Sequence, residues 1–267
     1  MSKLKEPIIF MIEGTAFLVD IHQEVLRQTD NPANEISFVR DMTDHGSHYS
    51  LYYDPEEKNI LRKTYNPRQI SELAVPKLIE LDPEGMAAKY GWQVPDLSGK
   101  TDFQVIVDQL LLEKRREGLL PRIKIMGEDF YVDLRLHELR HAGTFHPVLS
   151  LESFELTADG WHYEAYYHPV IRQVVPLDPL LTELPDSVVK IRIPAEIGLD
   201  PVGAAQMYHI DERMLLRLHP IQKELRAEII PLSETNVPAL IARNRQELMR
   251  QHRENVKKIK PKMRPRL

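Results

Sequence analysis

Residues 8 to 92 of this chain recur at residues 121 to 210, and that doubling limits the architecture more than any single motif does. Gly14-Thr-Ala-Phe17-Leu-Val19-Asp20-Ile21 returns as Gly127-Glu-Asp-Phe130-Tyr-Val132-Asp133-Leu134, and the match runs ungapped to Leu26-Arg27 against Leu139-Arg140, 113 positions apart. Gly46-Ser-His48-Tyr49-Ser-Leu-Tyr52-Tyr53-Asp-Pro55 returns as Gly160-Trp-His162-Tyr163-Glu-Ala-Tyr166-Tyr167-His-Pro169 at a spacing of 114. Leu81-Asp82-Pro83-Glu-Gly85-Met-Ala87 with Tyr90 returns as Leu199-Asp200-Pro201-Val-Gly203-Ala-Ala205 with Tyr208 at 118. Three blocks in one order, with small offsets absorbed between them, are the mark of a repeated folding unit.

Within the unit, apolar residues alternate as they do in half-buried strands. Ile123 and Ile125 alternate with Arg122 and Lys124, Gly127 supplies a turn, and Phe130, Val132, Leu134 and Leu136 alternate with polar neighbours. This spacing predicts a hairpin with one apolar face. A third strand is expected at Glu35 to Val39 and at Val148 to Leu156, a fourth in the aromatic block and a fifth at Asn59 to Arg62 and Val170 to Val175. Asp82-Pro83 and Asp200-Pro201 then open short helices, with a capping carboxylate before a proline whose missing N–H costs nothing in the first turn. Thr101-Asp-Phe-Gln104 has capping-box spacing ahead of Phe103, Val107, Leu110 and Leu111. Asp211 to Leu218 reads as helix up to Pro220, and Ser233 to Asn236 opens a last helix with a thin apolar stripe at Val237, Leu240, Ile241, Leu248 and Val256. The expected fold is α+β: a tandem duplication of an antiparallel β-meander plus short helix, followed by a helical tail. The expected boundaries are 1–95 and 121–212 for the two units, 96–120 for a connecting helix and 213–267 for the tail. Residues 260–266, rich in proline and like charges, are expected to be extended.

Charge is distributed unevenly. Residues 241–267 carry ten Lys and Arg against two Glu, a net +8, whereas residues 1–240 carry a net −13. Arg243, Arg245, Arg250, Arg253, Lys257 and Lys258 lie on the predicted last helix and form the candidate binding set, for phosphates or for a partner protein. The helix has no aromatic residue for base stacking or membrane anchoring. The chain has no cysteine, which removes disulfides and thiolate metal sites. The apolar run Pro7 to Ile12 ends at Glu13, too short for a signal peptide or a membrane span, so a cytoplasmic protein without a membrane role is expected.

Other motifs carry chemistry only in particular settings. His137-Glu138-Leu139-Arg140-His141 has the zincin pattern, which needs a helix so that both imidazoles reach one metal, with His146, His162 or His168 as conceivable third ligands. On a strand the two histidines lie about 13 Å apart. The other copy places Glu24, Val25 and Gln28 at the corresponding positions, so the repeated fold does not need the motif. Asp20 and Asp133 satisfy turn or loop N–H groups, or pair with arginines such as Arg27 and Arg140, or form a catalytic pair drawn from the two copies. His162, Tyr166 and Trp161 are a candidate ligand pocket, and His48 is the counterpart of His162. Walker, dinucleotide-glycine and Gly-x-Ser-x-Gly patterns are absent. These readings favour a non-enzymatic binding or scaffolding protein without a cofactor. The alternatives are nucleic-acid association through the basic helix and a zinc-dependent hydrolase built on the His137 to His141 segment.

Overall fold

A computed structural model describes residues 6–61 and 71–259; of residues 256–259 it describes the helical backbone alone. The first run of elements is β1 (Ile9–Ile12), β2 (Thr15–Asp20), β3 (Val25–Gln28), β4 (Glu35–Ser37), β5 (Thr43–Asp44), β6 (Tyr49–Asp54), β7 (Asn59–Ile60), β8 (Ser71–Val75), α1 (Leu78–Leu81) and α2 (Pro83–Tyr90). Helices α3 (Asp102–Ile106) and α4 (Gln109–Arg116) follow. A second run repeats the first ten elements in order: β9 (Arg122–Ile125), β10 (Glu128–Asp133), β11 (Glu138–His141), β12 (Val148–Ser150), β13 (Glu155–Leu156), β14 (His162–His168), β15 (Gln173–Val174), β16 (Val189–Pro194), α5 (Glu196–Leu199) and α6 (Pro201–Tyr208). The chain ends in α7 (Glu212–Leu218), β17 (Leu225–Arg226), β18 (Glu228–Ile230) and α8 (Val237–Ile259). This is a mixed α+β protein built on antiparallel sheets.

The pairings repeat along with the order. One sheet runs β1-β2-β3-β4 and its counterpart runs β12-β11-β10-β9-β17. A second sheet centres on β6, flanked by β5, β7 and β8, and its counterpart centres on β14, flanked by β13, β15 and β16, with β18 added beyond β16. Each first hairpin turns through two residues of positive φ, Glu13-Gly14 and Met126-Gly127, the geometry that matches strand twist in a two-residue loop. The next turns end in Glu24 (φ 53°) and His137 (φ 52°) at equivalent places. Period-two burial holds: Phe17 and Val19 face the core in β2, Phe130 and Val132 in β10, and Tyr49, Leu51 and Tyr53 in β6. Asp82 caps α2 by accepting the Gly85 N–H at 2.8 Å, and Asp200 caps α6 through Gly203 at 3.0 Å. A Cβ at Gly85 would lie 2.3 Å from the Asp82 carboxylate, so this cap excludes a side chain there.

Three details depart from the sequence expectations. Among the described residues each run holds eight strands in two sheets rather than five in one meander, because strands of two to four residues such as β3, β5 and β7 are too short to show a period. Residues 96–120 form no single connecting helix: the Thr101 capping box is present, but Val107 leaves helical geometry and splits the segment into α3 and α4. The segment 213–267 is likewise no continuous helical tail. Contacts divide the chain into one unit of Met1–Arg116 with Asp211–Ile221 and another of Glu117–Ile210 with Gln222–Leu267. Helix α7 therefore belongs to the first unit although it follows the second run, while β17, β18 and α8 complete the second. The expected extended tail at 260–266 lies outside the described residues, as does Arg62.

Candidate functional site

Helix α8 is held over its first turns and exposed from Leu248 to Asn255. The Val237 N–H bonds the Thr235 hydroxyl at 3.2 Å, starting the helix, and Val237 and Ile241 bury with Leu232 against Tyr166, Leu177, Leu181 and Val188. Asn244 donates from Nδ2 to the carbonyls of Pro179 and Leu181, both at 2.9 Å, and Arg245 Nε donates to the Thr182 carbonyl at 2.6 Å. These contacts cover the first two and a half turns. Further on, Leu248 is 53% and Met249 61% exposed, although Leu248 continues the stripe of Ile241. Residues 247–259 rise about 20 Å along the axis. Arg243, Arg250 and Arg253 are exposed, and Arg250 pairs with Glu247 at 2.9 Å. At helical pitch, positions 243, 250, 253 and 257 fall within an arc of about 80°, on the side away from Ile241 and Leu248. Of the six basic residues marked in the sequence, Arg245 serves docking, Arg243, Arg250 and Arg253 form the outward stripe, and the side chains of Lys257 and Lys258 lie outside the described residues. Asn244 and Arg245 were not legible as docking residues from composition, although their places beside the Ile241 stripe carry that signal.

The aromatic trio does not converge. Tyr166 lines a cleft of about 530 Å³ with Ser153, Glu155, Glu164, Leu177 and Lys190, and neither His162 nor Trp161 is in that wall. His162 and Tyr166 share a face of β14, but four strand residues separate them by about 13 Å. The His162 ring instead lies 3.7 Å from Asp159, and Trp161 is 51% exposed. His48, its counterpart in the first unit, stacks on His45.

A buried network of charged and polar groups lies in the first unit. Arg217 of α7 donates from Nη1 to the Tyr49 hydroxyl at 2.6 Å and from Nη2 to Glu24 at 2.7 Å. Tyr49 donates to Asp102 at 2.6 Å, and the Asp102 carboxylate accepts the N–H groups of Leu78 and Ile79 at 2.8 and 3.1 Å, closing the start of α1. Glu24 also accepts from Lys89 at 3.0 Å and from the Tyr90 hydroxyl. Burial works to raise the Glu24 pKa, but Arg217, the Tyr90 hydroxyl and Lys89 outweigh it and hold the carboxyl below its ordinary range. Burial pushes Asp102 up despite its hydrogen bonds, and burial also drives the Tyr49 hydroxyl up. Glu24, Tyr49, Asp102 and Arg217 are all buried. Such groups hold elements together and offer no surface to a substrate. Arg217 Nε has no partner among the described residues.

The zincin reading fails on backbone geometry. His137 ends a turn at positive φ and Glu138–His141 is strand β11, so the two histidines are not one helical turn apart. His141 is turned inward: its Nδ1 accepts the Thr144 N–H at 3.2 Å, which leaves Nε2 as the donor to Glu128 at 3.0 Å. Asp133 accepts the Leu136 N–H and the Arg140 guanidinium, and Asp20 likewise accepts the Gln23 N–H and Arg27. Each aspartate is engaged inside its own hairpin, which answers the choice between turn satisfaction and a catalytic pair in favour of the former. Comparison of the chain with protein-family models, curated proteins and solved structures gave no match.

Proposed function

We propose that this is a non-enzymatic binding or scaffolding protein, built by duplication of one α+β unit, that engages a partner protein with the distal part of α8. The observation that carries the reading is the half-docked helix. Isolated helices of about a dozen residues are marginal in water, and most helical stability comes from packing an apolar face. Leu248 and Met249 leave apolar surface exposed beyond the last docking contact, while Arg250 and Arg253 lie on the side away from Leu248. An amphipathic helix of this kind fits an apolar groove with an acidic rim. The buried network of Arg217 and the inward His141 are structural in this reading. The full chain and a chain ending at Gln246 are compared for recovery of a saturable, stoichiometric partner from the source cell. The reading expects recovery by the full chain alone, and equal recovery by the truncated chain removes it.

Nucleic acid is the second reading, favoured by the single arc of Arg243, Arg250, Arg253 and position 257. A helix that neutralises phosphates binds with an affinity that falls steeply with salt. Titration of duplex DNA and single-stranded RNA at two salt concentrations, with and without residues 247–267, separates the two readings: salt-sensitive binding lost on truncation supports nucleic acid.

A further inference from the structure

The two units close the edges of their first sheets differently. In the second unit β9 is interior, because β17 pairs with it in parallel: Leu225 stands opposite Ile123, Arg226 opposite Lys124, and the Ala227 N–H bonds the Lys124 carbonyl at 2.8 Å. In the first unit the equivalent strand, β1, ends the sheet among the described residues. The register is the same. The Val19 N–H bonds the Ile8 carbonyl as the Val132 N–H bonds the Pro121 carbonyl, both at 2.9 Å. Hydrogen-bonded pairs alternate with non-bonded ones in an antiparallel ladder, so Ile9 and Met11 aim their N–H and C=O groups away from β2, as Arg122 and Lys124 do from β10.

The side chains agree with the backbone. Ile123 is fully buried and Leu225 is 7% exposed, one covering the other. Phe10, at the place of Ile123, is only partly buried, and Ile9 and Met11 are 46% and 56% exposed. Sheet edges are ordinarily protected by charge, proline or a bulge, and the Ile9-Phe-Met-Ile12 edge has none of these within the strand. We infer that β1 is a docking edge for an extended segment of a partner protein, running parallel to it, with an apolar residue beside Phe10 and another beside Met11. The second unit shows the occupant's form, since β17 is such a segment supplied in cis. This edge is distinct from α8, and its test is independent of the proposed helix docking.

The probe is a synthetic peptide of residues 222–230 carrying Arg226→Leu, which puts an apolar residue opposite Met11. Amide exchange of the full chain is followed residue by residue with and without peptide. Exchange at Ile9 and Met11 is expected to slow by about tenfold on peptide addition. Met11→Pro removes only an outward N–H and is tolerated on an edge strand, so it abolishes the protection while the remaining amides keep theirs. Met11→Lys, which leaves the backbone intact, weakens protection in the same way. The proposal is overturned if the peptide leaves Ile9 and Met11 unprotected, or if protection survives in Met11→Pro. It is also overturned if both amides are already protected in a chain that sediments as a dimer, which makes a second copy the occupant.

Discussion

Arg217 and Glu24 lie 193 residues apart in sequence and 2.7 Å apart in space. The pair fastens a helix that follows the second run of elements into the core of the first unit. Removing one partner of a buried ion pair leaves an uncompensated charge, which costs about 3–5 kcal/mol. Glu24→Gln and Arg217→Met are each expected to lower the unfolding free energy by that order, read from the urea midpoint at neutral pH. A loss under about 1 kcal/mol for both would show that the pair does not hold α7 in place.

The same network sets an acid response. Glu24 is held below its ordinary value of 4.5, so the unfolded chain binds this proton more readily than the folded one. The stability it contributes is present above 4.5 and is lost as pH falls through the lowered folded value. Asp102, raised by burial from 3.8, acts in the opposite sense: its contribution is present below 3.8 and is lost as pH rises through the raised value. The gap in stability between the native chain and Glu24→Gln therefore narrows on acidification. In Asp102→Asn the fall on acidification becomes steeper. Denaturant titrations in steps from pH 7 to pH 3 check both trends.

His137 is held at φ 52°, where a side chain costs about 1–2 kcal/mol relative to glycine. Because the residue is exposed and outside any metal geometry, His137→Gly is expected to raise stability by about 0.5–1 kcal/mol after the entropy of glycine is counted. Thermal unfolding with and without added zinc reads this directly. Stabilisation of the native chain by zinc that is lost in His137→Gly would return the segment to a metal site.

Along α8 the account separates docking from display. Ile241→Ala deletes a buried side chain and is expected to cost about 2–4 kcal/mol. Leu248→Asp changes an exposed position and is expected to stay within about 0.5 kcal/mol of the native chain. Chemical denaturation of the two variants side by side checks the division.

The hairpins, the Asp-Pro helix starts and the Thr101 capping box were legible because each depends on neighbours within a few residues. The strand at Glu138 to His141 was only indicated in the sequence, by a first copy that carries no histidine there, and His137 itself closes the turn before it. What stayed hidden depends on distance in sequence. Nothing near Arg217 announces that Glu24 and Tyr49 receive it, and nothing in Leu225-Arg226 announces that β9 lies beside them. For Trp161, His162 and Tyr166 a shared face could be read from alternation, but convergence on a pocket requires knowing which loops close over the strand. The basic helix was legible as charge, whereas its division into a docked and a bare part depends on the 177–188 segment that receives Val237 and Ile241.

The most direct test of the binding role is photo-cross-linking in the source cell from a benzoylphenylalanine placed at Met249, in the native chain and in Leu248→Asp. The account expects one discrete cross-linked protein that disappears in Leu248→Asp while the chain remains folded. Absence of any cross-linked partner, or an identical product from the Leu248→Asp chain, would contradict it.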